Sequence, residues 1–189
     1  LDTVLGEIQR LLDVVSTSFW LILPEQEKLV CLRVKGPGSD NIEQWHLELG
    51  QGITGWVAQH NQSVIVPDTW KDDRHFRGID QHTGLTIRSM ISIPLRAHGK
   101  VIGVLNLVDD RINHFSQDDL GLLEPIASAA AIAIENARLY TTLQEELTER
   151  KRAEQIQKSL YLISEAAQTT QDLDALYPVI RDIIGAFMP

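Results

Sequence analysis

The residue types best suited to bind a small molecule are concentrated in one irregular stretch of the chain, Thr69 to Arg88. It shows neither helical nor strand periodicity, and such segments inside compact domains are usually functional or mobile. Its aromatic and charged side chains suit a small-ligand site. The candidates are Trp70, Asp73, Arg74, Phe76, His82 and Arg88. Alternatively, Trp70 and Phe76 pack into the core and Arg74 pairs with an aspartate.

Two more candidate ligand contacts lie on predicted strands that follow this stretch. Strand alternation places Asn106 among the apolar residues Ile102, Val104 and Val108. A polar side chain in that position either finds a partner within the fold or faces a pocket. Ser92 occupies the same kind of position on the neighbouring strand, so both residues are predicted to contact a ligand.

The chain shows little sign of metal chemistry or catalysis. Asp72, Asp73 and His75 lack a fourth strong ligand and any recognised metal spacing, which favours solvated charges. A phosphate-binding Walker loop, a Gly-x-Ser-x-Gly elbow and a His-Glu-x-x-His helix are all missing from the sequence. The sequence therefore predicts a protein that is not an enzyme and holds no metal.

Charge and cysteine usage narrow the possible partners and compartment. The 189 residues carry a formal net charge of −9, which disfavours nucleic acid and anionic membrane surfaces as partners. Cys31 is the single cysteine, so an internal disulfide is excluded and a reducing cytoplasm is expected. We find no signal peptide and no apolar run of spanning length, and we predict no membrane insertion.

Periodicity predicts an α+β domain with an antiparallel sheet and helices packed on it. The predicted helices cover residues 1–15 and 53–60, and a very long one starts after the N-cap Ser116 and ends near Thr170. The predicted strands are 17–24, 27–34, 64–66, 89–97 and 100–109.

Four motifs in order resemble those of GAF domains. Gly50–Ala58 resembles the family segment GxGITGxVA, and Val66–Phe76 resembles its V-x-D…D-x-R-F stretch. Arg88–Leu95 with Gly103–Leu107 resembles the family strand pair, and Phe115–Leu123 resembles the opening of its last helix. The resemblance implies a GAF/PAS-like fold whose pocket lies between one sheet face and a loop. Here that loop is residues 67–88, called the lid below.

The resemblance divides the chain into a GAF sensory domain over 1–138 and a helical coiled-coil linker over 139–170. Apolar residues of the linker follow heptad spacing in two runs, with a phase break between Arg150 and Ala153. The alternative is one helix packing on two different surfaces. Residues 171–189 repeat the apolar offsets of the first helix and are predicted to begin a second, truncated GAF-like domain of a longer parent.

The resemblance leaves the ligand and any cofactor open. Bilin-binding relatives use a lid cysteine that this chain lacks. Haem-binding relatives use a lid histidine as the axial ligand, and His82 lies at about the corresponding place in this lid. Cyclic-nucleotide-binding relatives carry an NKxxF signature, which Asn113-His114-Phe115 matches poorly. Sulfoxide-reducing relatives need several lid cysteines.

The resemblance therefore predicts a non-catalytic cytoplasmic input module of a sensor histidine kinase in a two-component system. It would bind a small ligand under the lid and form a homodimer through its helices. The rival prediction is a domain that binds nothing and acts as a dimerisation scaffold and spacer.

Overall fold

The computed structural model describes residues 1–23, 25–43, 45–169, 177–178, 180–182 and 185. The chain divides into two compact units, Leu1–Asn136 and Ala137–Pro189. A six-stranded sheet with helices forms the first unit. The predicted α+β class, the antiparallel sheet and the long C-terminal helix are all confirmed.

The strands follow the order β3-β2-β1-β6-β5-β4, and every neighbouring pair is antiparallel. Their bounds are β1 Ser16–Leu23, β2 Lys28–Lys35, β3 His46–Glu48, β4 Val64–Val66, β5 Ser89–Ala97 and β6 Lys100–Asp109. The helices are α1 Asp2–Leu11, α2 Gly52–His60, α3 Gly78–Thr83 and α4 Gln117–Thr169.

Both faces of the sheet are covered, and β1 shows how alternation divides the core. Phe19 points to one face, where it packs with residues of α1 and of the first turns of α4, including Leu5 and Leu123. Trp20 points to the opposite face, where it packs with residues of α2 such as Val57. Phe76 of the lid also packs on that second face. The lid therefore covers the face that α2 covers.

Two local signals act as the sequence predicts. Ser116 and Asp119 form a reciprocal capping box, because Asp119 Oδ2 accepts from the Ser116 amide at 2.8 Å and Ser116 Oγ accepts from the Asp119 amide at 3.3 Å. The tight turn between β5 and β6 uses His98 and Gly99, with φ angles of 49° and 78°. Positive φ at both positions is typical of a two-residue hairpin turn.

Three elements differ from their predicted forms. The first helix ends at Leu11 rather than residue 15, because Asp13 takes a left-handed φ of 49° and the Val14 amide donates to the Gln9 carbonyl. This turn directs the chain into β1. The short strand β3 and helix α3 were both missed, since three and six residues are too short to display a periodicity.

The second unit is helical from Ala137 to Thr169, as the continuation of α4. Its exposed large apolar residues are Leu139, Tyr140, Leu143, Leu147, Ile156, Leu160 and Tyr161. The predicted second domain at 171–189 lies outside the described residues, apart from helical residues at 177–178, 180–182 and 185. The predicted limits at 138 and 170 stay a prediction.

Among the described helices, α4 alone contains a stretch long and apolar enough to cross a membrane by length and composition. This differs from the expectation that the chain lacks any such run. One such helix is weak grounds for a membrane span, because helices of soluble domains pass the same test. Ala127 and Ala131 of α4 are buried against the sheet.

Candidate functional site

A cavity of about 40 Å³ lies between the sheet and the lid in the first unit. Its floor is formed by Ser16, Ser18, Trp20, Met90, Asn106 and Val108. Its roof is formed by His75, Phe76, Ile79, Thr83, Leu85 and Ile87. The walls are Ile42, Leu47, Gly52, Ile53 and Thr54.

A row of polar side chains crosses the centre of the sheet beneath this cavity. Ser18 on β1 is opposite Asn106 on β6, and Asn106 is opposite Ser92 on β5. Residues directly opposite each other in antiparallel strands share a face, so these three side chains form one row. All three are buried.

Asn106 is the hub of a buried hydrogen-bond network. The hydroxyl of Ser92 donates to Asn106 Oδ1 at 2.6 Å, and Asn106 Nδ2 donates to Thr54 Oγ1 at 2.8 Å. Thr54 lies in the first turn of α2, so the network ties the sheet to that helix. The same pair of bonds fixes which way the Asn106 amide points.

Two serines of β1 extend the polar floor. The indole N–H of Trp20 donates to Ser18 Oγ at 3.0 Å, which leaves the Ser18 hydroxyl hydrogen available. Ser16 is on the same face two residues earlier and is 4% exposed. Within the described part of the chain, the Ser16 hydroxyl makes no hydrogen bond.

The roof is built from one continuous segment that includes α3. The Thr83 hydroxyl donates to the Ile79 carbonyl at 2.8 Å, and Gly84 ends α3 in a left-handed conformation. His75 Nε2 lies 2.9 Å from Asp80 Oδ2, so this histidine is tied to the helix. The roof is therefore an ordered element held by internal bonds.

The structure brings some predicted ligand contacts to the cavity and places others elsewhere. Phe76 and Asn106 line it. Ser92 does not line it but holds the Asn106 amide in place. Asp73 and Arg74 instead line a separate open surface depression of about 630 Å³.

Arg74 follows the alternative interpretation and pairs with an aspartate. Its guanidinium donates to both Asp72 oxygens, at 2.9 and 2.7 Å, and lies over the ring of Trp56 at 4.6 Å. The hydrogen bonds from Arg74 lower the pKa of Asp72 despite its partial burial. Arg74 therefore has a structural role outside the cavity.

Arg88 and Trp70 form a second cation–aromatic pair outside the cavity. The Arg88 guanidinium lies 4.2 Å from the Trp70 ring centroid and pairs with Asp68 at 3.2 Å. Burial acts to raise the pKa of Asp68, but hydrogen bonds from Arg88 and the Trp70 amide outweigh it and lower that pKa. Trp70 is 53% exposed, so the idea that it packs into the core is wrong.

His82 stacks on Trp45, with ring centroids 4.7 Å apart, and does not line the cavity. The cavity residues that sequence reasoning missed include Ser16, Ser18, Thr54 and His75. The two serines carried a signal, because strand alternation places them on the same face of β1 as Trp20. Within the described ranges, no group of three or more His, Cys, Asp or Glu side chains could hold a metal ion.

Comparisons with known proteins identify the family. The family model of the GAF domain matches residues 1–135. The dual 3',5'-cyclic-AMP and -GMP phosphodiesterase 11A of Takifugu rubripes is 32% identical over 111 residues, which are 57% of this chain. The chain spans only 12% of the length of that relative.

Solved structures agree in fold. The GAF domain of the Acinetobacter phosphoenolpyruvate-protein phosphotransferase matches with a TM-score of 0.63 and 21% identity, covering 72% of this chain and 82% of that one. The free methionine-R-sulfoxide reductase of Neisseria meningitidis matches with a TM-score of 0.58 and 22% identity, over 66% and 70%. The fold therefore occurs in enzymes as well as in regulatory modules. GAF domains are regulatory, ligand-binding modules of signal transduction, and this chain belongs to the GAF domain family.

Proposed function

We propose that this domain is a non-catalytic sensory input module that binds a small ligand between the sheet and the lid. The observation that carries the proposal is the cavity over the polar row of the central strands. Its floor belongs to the rigid sheet, whereas its roof is one chain segment, residues 75–87. A ligand bound there contacts both parts at once.

The size of the cavity supports a link between binding and lid position. Pockets for drug-sized ligands measure about 300–1,000 Å³, whereas this cavity measures about 40 Å³. A ligand larger than a few atoms must therefore move Phe76 and Ile79 outward. A ligand that binds only the open lid shifts the balance between two arrangements, as a sensor requires.

The long helix supplies a route for the output. Helix α4 begins in the first unit, where Leu123 is buried against the sheet, and is continuous to Thr169. Beyond residue 136 its seam residues Tyr140, Leu143 and Leu147 are exposed. We propose that this seam pairs with a second copy in a parallel coiled coil.

The dimer has a direct test in solution. Leu143→Asp with Leu147→Asp places charges in the seam and is expected to halve the molar mass measured by light scattering. Thr141→Asp with Thr142→Asp, on the outer face of the same turn, is the matched control and keeps the dimer. A wild-type chain that is monomeric at tens of micromolar would overturn the dimer.

Catalysis is left out of the proposal because the cavity offers no reactive pair. Cys31 is the single cysteine of the chain and is not among the cavity residues. His75 at the roof pairs with Asp80, and among the described residues no hydroxyl of the cavity lining hydrogen-bonds to it, so no nucleophile is paired with a base. We place the domain in a cytoplasmic signalling protein, with a sensor histidine kinase as the proposed parent.

The second candidate is a ligand-free dimerisation scaffold. It is favoured by the same small volume, because the lid residues Phe76, Ile79 and Leu85 leave a cavity of only about 40 Å³ above the sheet. In that case the lid stays closed and the polar row is only a structural network.

Ligand-detected mass spectrometry separates the two candidates. The wild-type chain and a Phe76→Trp variant, in which a larger ring occupies the cavity, are both purified without denaturation. Each protein is then denatured, and the small molecules released from the two are compared. A small molecule that co-purifies with the wild type and not with the variant supports the sensor. If nothing co-purifies and a small-molecule library produces no amide shifts at residues 75–87 by NMR, the scaffold is correct.

A further inference from the structure

The cavity has no formal charge of its own to offer a ligand. Among its described lining residues there is no Lys, Arg, Asp or Glu. The His75 side chain is already paired, because its Nε2 lies 2.9 Å from Asp80 Oδ2. A charged ligand group placed here would lose its hydration without gaining a counterion, which is strongly unfavourable.

Most of the polar hydrogens that remain available in the cavity belong to hydroxyl groups. The Asn106 amide is held by Ser92 and by Thr54, which leaves its second N–H and the Thr54 hydroxyl hydrogen as further donors. Ser18 accepts from Trp20 and likewise keeps its own hydrogen free. Ser16 is 96% buried, faces the cavity and makes no hydrogen bond to any described residue.

Among the described residues, the fully buried side-chain atoms without a hydrogen-bond partner are Asp80 Oδ1 and Ser89 Oγ, and Ser16 Oγ is not one of them. The Ser16 hydroxyl is instead open to the cavity that it lines, where a water or a ligand atom can complete its hydrogen bonding. The first turn of α2 borders the same cavity through Gly52, Ile53 and Thr54. Its backbone dipole favours an atom with partial negative charge.

The remaining walls are apolar, so they favour a ligand whose main part is hydrophobic. Trp20, Met90, Val108, Ile79, Leu85 and Ile87 surround the hydroxyls. Apolar walls with a few fixed donors suit a molecule with a hydrophobic body and one acceptor.

We propose that the ligand is a small uncharged molecule with an apolar body and a carbonyl or similar acceptor oxygen, which takes hydrogen bonds from Ser16 and Ser18. This inference rests on the proposed ligand site and specifies its chemistry. It separates this domain from a receptor for an anionic phosphate ester, because the phosphate would meet no cation in the cavity.

The test uses one ring-sized scaffold with four different head groups. Acetophenone is the neutral ketone, and ethylbenzene is the neutral probe without an acceptor. Benzoate is the anion and benzylammonium is the cation. All four are titrated against the full chain and against Phe76→Ala, which enlarges the cavity from the roof without touching the hydroxyls. Binding is followed by amide NMR shifts and by the change in Tm.

Serine variants isolate the role of the hydroxyls. Ser16→Ala in the Phe76→Ala background is expected to weaken acetophenone about fivefold, near the value of one net hydrogen bond. The same variant leaves ethylbenzene within twofold. Ser89→Ala is the matched control, since Ser89 is fully buried, has no described hydrogen-bond partner and lies outside the cavity. It is expected to leave both affinities unchanged.

The outcomes separate this inference from the proposed function. The inference is overturned, while the proposed ligand site stands, if benzoate or benzylammonium binds more tightly than acetophenone. It is also overturned if Ser16→Ala lowers the affinities for acetophenone and ethylbenzene equally. Binding of no probe to either protein overturns both. If Phe76→Ala does not fold, as judged by circular dichroism, Ile79→Ala replaces it and the same outcomes apply.

Discussion

The buried network at Asn106 yields the most quantitative prediction. Asn106→Ala removes two buried hydrogen bonds, measured at 2.6 and 2.8 Å. Each contributes about 1 kcal/mol net, and leaving the Ser92 hydroxyl without its partner costs about 1 kcal/mol more. The expected loss is roughly 3 kcal/mol in the free energy of unfolding, or roughly 6–12 °C in Tm for a domain of this size.

The assay is urea unfolding followed by tryptophan fluorescence and circular dichroism, with ΔG from the linear extrapolation. The double variant Asn106→Ala with Ser92→Ala tests the coupling. Once Asn106 is gone, removing the stranded hydroxyl costs little, so the two losses fall short of additivity by about 1 kcal/mol. Asn136→Ala, at an exposed position of α4, is the control and changes ΔG by less than about 0.5 kcal/mol. A loss below about 1 kcal/mol for Asn106→Ala, or strict additivity, would refute the network.

Three further predictions concern packing, charge and the thiol. A Cβ on Gly103 would overlap the carbonyl oxygen of Trp20, so Gly103→Ala is expected to lower the free energy of unfolding in urea by about 3 kcal/mol. Gly121→Ala, in open space on α4, is the control and is neutral or stabilising; equal stabilities of the two variants would contradict the close approach. Burial acts to raise the pKa of Asp109, but hydrogen bonds from Arg111 outweigh it and the folded-state pKa is lowered. The resulting stabilisation is complete above the unfolded-state carboxyl pKa of about 4 and is lost as the pH falls through the folded-state pKa of Asp109. Between about pH 5 and pH 2 the wild type therefore loses more unfolding free energy than Asp109→Asn does, and parallel pH profiles of the two proteins would disprove this contribution. Burial, aided by the charge of Glu43, raises the pKa of the Cys31 thiol to about 12. At pH 8 an aromatic disulfide reagent should therefore react roughly 100-fold more slowly with the native chain than with the chain unfolded in urea, and fast labelling of the native chain would exclude a raised thiol pKa.

Short-range signals were sufficient to predict most elements. The strand Val64–Val66 and the hairpin of Ser89–Ala97 with Lys100–Asp109 have their predicted bounds, because β-branched runs and tight turns are encoded locally. The cap at Ser116 uses atoms within three residues of each other. The α+β class followed from the order of such elements, and the family followed from the resemblance of four sequence motifs.

The limits of periodicity explain which elements were missed. The six residues of α3 and the three of β3 depend on contacts with distant segments, such as the pairing of His46 with Val30. The turn at Asp13 ended α1 early even though apolar spacing continued to Val15. In these places tertiary contacts outweighed local preference.

The sequence by itself determined the family, the order of the main elements and the polar pair Ser92 and Asn106. Only the tertiary structure decided which lid residues face the sheet: Phe76 turns inward, whereas Trp70 stays outside on Arg88. It also showed that Ser16 and Ser18 form the cavity floor. The physical reason is that β1 is buried on both faces, so alternation separates its residues into two sets without indicating which set faces the cavity. That choice depends on how α2 and the lid pack on the sheet, and those contacts join residues far apart in the chain.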